Sequence, residues 1–390
     1  MTDKKLPFIY YGLTAITFCL LAYFSITLQQ KGDEGGAYLP AFQQAYIKWP
    51  ALDMSPAWAI SSFYLWIVDA MMFGLANLGF FADILLPTGR LFSLICWLTL
   101  VYVHIASGKF KALAILFNPY VLIYASRAHP LLPGILLFYG FWTLIRQNKN
   151  IGLLFLLFAV NFQVFIGGAI GLFTPTFPLT KREIIRIILL GVVAICGVFL
   201  TWYTWGGMYP VQFVNHAFFQ QYHVNGKPSF GYPFTVFMLA GVTFWISGNR
   251  TFNDMKAHPT YSWVVIVSTI LAALVLYFIA DIVAIAREGS QAVLGKNYQI
   301  GWVIGYGFIG LGWLRVHRDH YPLVFGLLGS AVLLITLPYL YERISIFATI
   351  APCLAWSGLA KKENQQVPLL VTACCVFVIS SVFYQLYGSL

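Results

Sequence analysis

The stretch that decides the fold is FIYYGLTAITFCLLAYFSITL at residues 8–28, followed directly by QQKGDEGGAYLPAF at residues 29–42. Residues 8–28 carry no charge and are long enough to cross the hydrocarbon core of a bilayer as a helix. The acid pair Asp33-Glu34 comes where the chain leaves that helix. Two adjacent carboxylates at this position are costly unless they face water, a cation or a substrate. This pair is therefore the first candidate for chemistry.

The composition extends this reading to the whole chain. Of 390 residues, 60% are hydrophobic and 18% aromatic, but only 9% are charged, whereas ordinary globular domains carry roughly 25% charged residues. The apolar runs are uniform, and a membrane β-barrel would instead show short alternating segments. We therefore predict an all-α, polytopic integral membrane protein with a single transmembrane domain over residues 1–390 and no soluble module.

Helices are predicted wherever an apolar run is long enough, and this length criterion gives about 11–13 crossings. The predicted segments are 8–28, 57–80, 91–106, 112–126, 131–145, 151–175, 187–206, 232–247, 262–286, 298–315, 321–340, 344–360 and 367–387. The net charge of +10 comes largely from Lys and Arg in the short gaps between these segments. That distribution is typical of the positive-inside bias of membrane proteins, and we predict no binding of nucleic acid.

The basic gaps also predict which loops face outward. Lys4-Lys5 places the N-terminus in the cytoplasm, so the first loop, residues 29–56, with its acid pair, faces the outside or the lumen. This loop includes an amphipathic piece that could lie in the membrane interface. Residues 207–231 form a second outer loop. Because basic residues flank both ends of 151–175, that segment is expected to be a re-entrant or doubled helix. The number of crossings within 57–106 stays open.

Two groups of residues near helix ends could act together. A carboxylate of Asp33 or Glu34 could take a proton from an acceptor hydroxyl group, although a solvated loop or a helix cap would place the same residues there. Arg127 and His129 follow another apolar run. Arg127 is either an interface anchor or a phosphate ligand, since a guanidinium group offers several donors in a fixed fork.

Other polar residues are candidates for substrate binding or for buried ion pairs. The second outer loop holds His216, His223 and Lys227 among aromatic residues, which suits sugar stacking and phosphate contact, or a plain surface loop. The spacing of the two histidines matches no standard zinc signature, so no metal site is predicted. Glu342-Arg343 could form a structural ion pair, or Glu342 could orient Arg343 toward a phosphate. Asp69 with Arg90 is a candidate buried pair.

Together these features resemble the GT-C superfamily of polytopic glycosyltransferases that use polyprenyl-phosphate sugars. The resemblance rests on the acid pair after helix one, on Arg90 within PTGRL at the opening of a later helix, and on Asn118-Pro119. Within that group the chain is most similar to the dolichyl-phosphate-glucose α-1,2-glucosyltransferase family, through Asp33-Glu34 and the downstream stretch 43–46. The family's other elements are matched incompletely, because 161–164 lacks an Arg and 342–344 lacks a Pro and a Tyr.

The resemblance implies inverting transfer of a hexose from a polyprenyl-phosphate donor to a lipid-linked or surface glycan acceptor, among membrane lipids. It implies that Asp33, or alternatively Glu34, is the general base, and that no metal or cofactor is obligatory. The leaving phosphate would be stabilised as its charge develops by Arg127, His129, Lys227 and Arg343. The substrate-binding residues would be Tyr38, Gln163, His216, His223 and Glu342. The expected location is a bacterial inner membrane with the site facing the periplasm or outside, or the lumenal face of the ER membrane in a eukaryote.

Other classes of membrane protein remain as alternatives. The chain could be another enzyme of lipid-linked glycans, such as a polymerase or ligase, a transporter or flippase, or a structural subunit. Transporters often show inverted repeats and broken helices with charges at the midplane, whereas no repeat stands out here and polar residues gather toward helix ends. The sequence contains no GxSxG, HExxH, P-loop or Rossmann pattern, so chemistry on soluble nucleotides is not supported.

Overall fold

A computed structural model describes residues 6–27, 34, 38–47, 58–162, 164–173, 180–205, 236–237, 240–241, 244–245, 259–279, 304, 307–316, 320–334 and 342–357. Every regular element within these ranges is a helix, and none is a strand. This agrees with the predicted all-α class, because uniform apolar runs without alternation favour helices that satisfy all their backbone hydrogen bonds internally.

The helices follow the predicted apolar runs, with differences at their ends. In chain order they are α1 (Leu6–Thr27), α2 (Leu39–Ile47), α3 (Trp58–Asn77), α4 (Leu85–Ala106), α5 (Lys111–Leu116), α6 (Pro119–Ala125), α7 (Leu131–Arg146), α8 (Gly152–Phe162), α9 (Lys181–Trp205), α10 (Pro259–Ile279), α11 (Tyr321–Leu334) and α12 (Glu342–Ser357). Three 3-10 segments cover Ala82–Ile84, Val164–Phe173 and Leu311–Arg315.

Two predicted helices are each divided in the structure. The run 112–126 forms two short helices, because Pro119 begins α6 after α5 ends at Leu116. Proline fits the first position of a helix but cannot continue the preceding one. The segment 151–175 contains α8 and the 3-10 segment that follows it, while its re-entrant or doubled course stays a prediction.

Three helices in the described ranges are long and apolar enough to span a membrane, namely Leu6–Thr27, Ala82–Ala106 and Lys181–Leu200. On the third of these, Ile188, Leu189, Ile195 and Phe199 are all more than half exposed. A large exposed apolar surface of this kind marks contact with a membrane or a partner. The structure thus fits an all-α membrane protein, while the number of crossings stays a prediction.

The chain divides into two compact units. The first comprises residues 1–166, 192–220 and 369–390, and the second comprises residues 167–191 and 221–368. In the first unit α4 contacts α1, α2, α5, α6 and α7, while α3 packs on α2 and α8. The apolar face of α2 is buried in a core with Tyr64 of α3 and Phe162 of α8. This core places the short loop helix α2 against the start of α4. The single domain over residues 1–390 stays a prediction.

The second unit is held by close backbone contact and by aromatic rings. The backbones at Gly168 and Gly329 meet so closely that a Cβ atom on either residue would overlap the other segment. Nearby, the His320 ring stacks on Trp356 and meets Phe244 edge-on. Small residues permit such close approach of helices in membrane proteins.

Candidate functional site

The centre of the candidate site is the buried carboxylate of Glu34. Arg90 binds it through two hydrogen bonds, from Nε to Oε1 at 3.0 Å and from Nη2 to Oε2 at 2.7 Å. Arg127 donates from Nη1 to Oε2 at 2.7 Å, and the Ala128 amide donates to Oε1 at 2.7 Å. We call these four residues the Glu34 cluster. Each carboxylate oxygen therefore accepts two hydrogen bonds, which uses the acceptor capacity of an ionised carboxylate.

The cluster joins parts of the first unit that are distant in the sequence. Glu34 lies between α1 and α2, Arg90 lies in the second turn of α4, and Arg127 and Ala128 lie between α6 and α7. The remaining terminal nitrogen of Arg90, Nη1, donates to the carbonyl oxygen of Ser25 at the end of α1, at 3.0 Å. The fork of Arg90 thus fixes the first loop to both spanning helices, α1 and α4.

Because the cluster is buried, each of its charges depends on the oppositely charged partners beside it. Glu34 is 3% exposed and Arg90 is 1% exposed. A single buried charge is expensive, and it is tolerated only when oppositely charged groups and further hydrogen bonds compensate it. Of the three ionised side chains, Arg127 is the most exposed, with 12% of its side chain accessible. It is therefore the cation of the cluster that an anionic ligand reaches most easily.

His129 and Tyr38 lie beside the cluster. The Leu131 amide donates to Nδ1 of His129 at 3.2 Å, and the Ser93 hydroxyl group donates to its carbonyl oxygen at 3.2 Å. The His129 ring meets Tyr38 edge-on at 5.9 Å and Tyr124 at 4.8 Å between ring centroids. Because Nδ1 accepts a hydrogen bond, we assign the proton of the neutral ring to Nε2. His129 can then act as a hydrogen-bond donor.

The structure brings together four of the predicted site residues, namely Glu34, Tyr38, Arg127 and His129. The others cannot be placed against them, since Asp33, Gln163, His216, His223 and Lys227 lie outside the described residues. Glu342 and Arg343 open α12 in the second unit, and their side chains also lie outside the described part. Within that part no three His, Cys, Asp or Glu side chains group to form a metal site.

The prediction of an Asp69–Arg90 pair is wrong. Arg90 binds Glu34, whereas both carboxylate oxygens of the fully buried Asp69 have no hydrogen-bond partner among the described residues. The reason is that all three nitrogens of the Arg90 guanidinium group already donate, two to Glu34 and one to the carbonyl oxygen of Ser25. Tyr64 meets Tyr38 edge-on at 5.7 Å between ring centroids, within the same buried core.

Gly89 allows the cluster to assemble. A Cβ atom on Gly89 would lie 2.7 Å from a ring carbon of Phe42 and 3.1 Å from the Cβ atom of Ala128. Both neighbours are fully buried, so neither can move away freely. The absent side chain therefore lets α2 and the α6–α7 turn approach α4 next to Arg90.

We expect Gly89→Leu to lower the free energy of unfolding by about 1–3 kcal/mol through overpacking. The matched control is Gly74→Leu on α3, because a Cβ atom at Gly74 would meet nothing within 4 Å. Denaturant titration of the purified protein measures both changes. Equal stability of the two variants would contradict close packing at Gly89.

Comparison of the chain with protein-family models, with curated proteins and with solved structures finds no match in any of the three. The function must therefore be argued from the chemistry of the Glu34 cluster and from the residues beside it in the sequence.

Proposed function

We propose that this protein is a membrane glycosyltransferase that moves a hexose from a polyprenyl-phosphate donor to a lipid-linked or surface glycan acceptor. The observation that carries the proposal is the Glu34 cluster, which fixes an acidic loop directly after a membrane-length helix. A loop held in this way can present a reactive carboxylate at a constant position, and positioning supplies much of enzymatic rate enhancement.

The two acids of the pair have different roles in this proposal. Glu34 already accepts four hydrogen bonds, so it has little capacity left for the proton of a substrate and is a positioning residue. Asp33, its neighbour in the chain, is the general base. The acceptor oxygen attacks the anomeric carbon as the bond from that carbon to the donor phosphate oxygen breaks. The hydroxyl proton passes to Asp33, polyprenyl phosphate leaves, and the anomeric configuration inverts.

Negative charge that develops on the leaving phosphate needs nearby donors. Arg127 is the accessible guanidinium group of the cluster, and His129 lies two residues further along the same turn. We assign both to the phosphate, with Lys227 and Arg343 as further cations. Tyr38, Gln163, His216, His223 and Glu342 are the proposed contacts of the sugar and acceptor. No metal or cofactor is obligatory in this scheme, and the site faces the periplasm, the outside or the ER lumen.

A second candidate function rests on Asp69. A buried acid within an apolar helix often marks an ion or proton pathway, and both Asp69 oxygens lack a hydrogen-bond partner in the part of the chain that the structure describes. A transporter or flippase would use such a residue. We place this candidate second because Asp69 offers one acidic group, whereas the Glu34 cluster organises a loop through two ion pairs. A polymerase or ligase acting on lipid-linked glycans would use the same chemistry as the first proposal.

The proposal is tested by incubating the purified protein with radiolabelled polyprenyl-phosphate glucose, mannose and other hexoses. A membrane-lipid extract supplies the acceptor. We expect label to move from one donor to a larger glycan product with inversion of the anomeric carbon. Folded protein that leaves every donor intact, with acceptor extracts from several sources, would contradict the proposal. Uptake of a solute into proteoliposomes that Asp69→Asn abolishes would then favour the transporter.

A further inference from the structure

Helices α4 and α7 of the first unit run side by side in the same direction. Just before α7 begins, the carbonyl oxygen of His129 accepts a hydrogen bond from the Ser93 hydroxyl group of α4, at 3.2 Å. Further along both helices, the rings of His104 and Tyr139 lie 4.5 Å apart between centroids. Because these contacts advance along α4 and α7 together, both helices finish at the same end of the unit. The Glu34 cluster lies at the opposite end, beside the start of α4.

Both helices finish in the same backbone motif, and a lysine follows in each. In the turn after α4, φ is +68° at Gly108, and the Lys109 amide donates to the carbonyl oxygen of the residue five positions earlier at 2.8 Å. In the turn after α7, φ is +58° at Asn148, and the Lys149 amide donates in the same way at 2.9 Å. This is the Schellman motif, in which a left-handed residue ends the helix. The motif therefore fixes two lysines at equivalent positions on neighbouring helices.

Two aromatic rings of α7 hold cations at this end. Nζ of Lys109 donates to the Tyr139 hydroxyl group at 3.2 Å and lies 5.7 Å from the centroid of that ring. The guanidinium carbon of Arg146 lies 5.4 Å from the centroid of the Trp142 ring. A cation over an aromatic face is attracted by the ring, and Tyr and Trp are enriched where a membrane meets water. The rings thus hold both cations in a setting typical of a membrane interface.

The charge at this end is positive throughout. Every charged residue from 84 to 182 is basic. Within the part of the chain that the structure describes, Lys109, Arg146 and Lys149 form no ion pair. Arg146 and Lys149 are exposed, whereas Lys109 is partly buried. We call the four cations beside the two turns the basic end, namely Lys109, Lys111, Arg146 and Lys149.

We propose that the basic end binds the phosphate head groups of anionic phospholipids in the membrane leaflet next to it. The 22 residues of α4 extend over about 33 Å at 1.5 Å per residue, which is enough to separate the basic end from the Glu34 cluster by the hydrocarbon core of a bilayer. Ammonium and guanidinium groups form strong hydrogen bonds with phosphate oxygens. The positive-inside bias makes this the cytoplasmic leaflet, whose surface is negatively charged.

This proposal does not depend on hexose transfer, because it concerns the end of the unit opposite the Glu34 cluster. It also requires selectivity between lipids. A zwitterionic head group carries its own cation, which the basic end repels, whereas an anionic head group offers phosphate without a compensating charge. The lipid expected at the basic end is therefore anionic.

The test measures lipid binding to the full-length protein in detergent micelles. Captured protein is equilibrated with micelles that contain radiolabelled dioleoyl phosphatidylglycerol or dioleoyl phosphatidylcholine, and the bound lipid is counted. We expect phosphatidylglycerol to reach half-saturation at a mole fraction at least ten-fold lower than phosphatidylcholine. Inorganic phosphate, added at constant ionic strength, should not displace it. Equal half-saturation by the two lipids, or displacement by inorganic phosphate, would overturn the proposal.

A double variant, Lys109→Gln with Lys149→Gln, removes both lysines of the motif. A cation near an anionic surface contributes about five-fold to binding. We therefore expect roughly 25-fold weaker binding of phosphatidylglycerol and unchanged binding of phosphatidylcholine. The matched control is Lys181→Gln with Arg182→Gln, which removes the same charge from exposed residues at the start of α9. This control should bind phosphatidylglycerol as wild type does.

A third protein separates charge from the structure of the helix ends. Lys109→Arg with Lys149→Arg keeps both charges, and we expect it to bind phosphatidylglycerol as wild type does. Equal weakening in the Lys109→Gln/Lys149→Gln variant and in its control would overturn the proposal, since the lipid would then respond only to the net charge of the chain. A loss in the arginine variant as large as in the glutamine variant would also overturn it, since charge would then not be the cause.

Discussion

Replacing Arg90 by leucine is expected to lower the free energy of unfolding by about 3–5 kcal/mol, because it removes the main partner of a buried charge. Arg90 supplies two of the four hydrogen bonds to Glu34 and also binds the end of α1. Without it, Glu34 keeps only the bonds from Arg127 and the Ala128 amide. The hydrogen bonds from Arg90 that tie Glu34 to α4, and α4 to the end of α1, are then lost.

A double-mutant cycle separates the coupling energy of the Arg90–Glu34 pair from other effects of each substitution on stability. We expect Glu34→Gln to destabilise the protein too, and the two changes together to couple by about 0.5–3 kcal/mol. Arg182→Leu is the matched control, because Arg182 is an exposed residue of α9 and surface changes usually stay within about 0.5 kcal/mol. Denaturant titration measures wild type, the two single variants, the double variant and Arg182→Leu. An Arg90→Leu variant as stable as Arg182→Leu would contradict the buried pair.

The sequence predicts the helices because length and apolarity alone decide them. Runs without charge gave α1 and α7 close to their final bounds, whereas α9 begins six residues before its predicted start, in a charged turn. The run 112–126 is divided at Pro119, because proline can begin a helix but cannot continue the preceding one. The class of the protein could thus be predicted, whereas the packing of one helix on another could not.

The candidate site could be predicted only in part. The acid pair and the Arg127–His129 turn were visible as polar groups at helix ends. The contact of both groups with Arg90 was not visible in the sequence. Arg90 and Glu34 are 56 residues apart, and helical spacing gives no rule for such contacts. One signal was available, since a lone Arg in an apolar segment requires an acidic partner. The sequence could not decide between Asp69 and Glu34, and the packing of α4 on α1 decides for Glu34.

Glycine and cavity positions show a further limit of sequence reasoning. Gly89 stands next to Arg90 in the quoted motif, yet only the structure shows Phe42 and Ala128 against it. Asp83 and Gln43 carry no motif, and they line one cavity because α2 packs beside the start of α4. Residues of this kind act through contacts between elements, which a single sequence does not display.

The second large effect is expected from Asp33→Asn, which should reduce hexose transfer by about 10²–10⁴-fold, the usual contribution of a general base. The amide keeps the size of the side chain but cannot take the acceptor proton. Its control is Asp53→Asn in the same loop, which removes the same charge at another position. We expect Asp53→Asn to transfer hexose at close to the wild-type rate, since no role is proposed for that residue.

The free energy of unfolding of the variants distinguishes the role of Asp33 from that of Glu34. Asp33→Asn should unfold at the wild-type denaturant concentration, because the Glu34 cluster remains complete in that variant. Glu34→Gln should lose activity together with folded protein, because Glu34 holds the loop. Rates are therefore compared per folded molecule. A Glu34→Gln protein that is as stable as wild type but inactive would reverse the two roles.

The most direct test of the account is the rate of label transfer from polyprenyl-phosphate hexose by the Asp33→Asn protein, beside wild type and Asp53→Asn. The account predicts transfer at least 100-fold slower than wild type, consistent with loss of a general base, in a protein that unfolds at the wild-type denaturant concentration. Wild-type transfer by folded Asp33→Asn would contradict the assignment of the base.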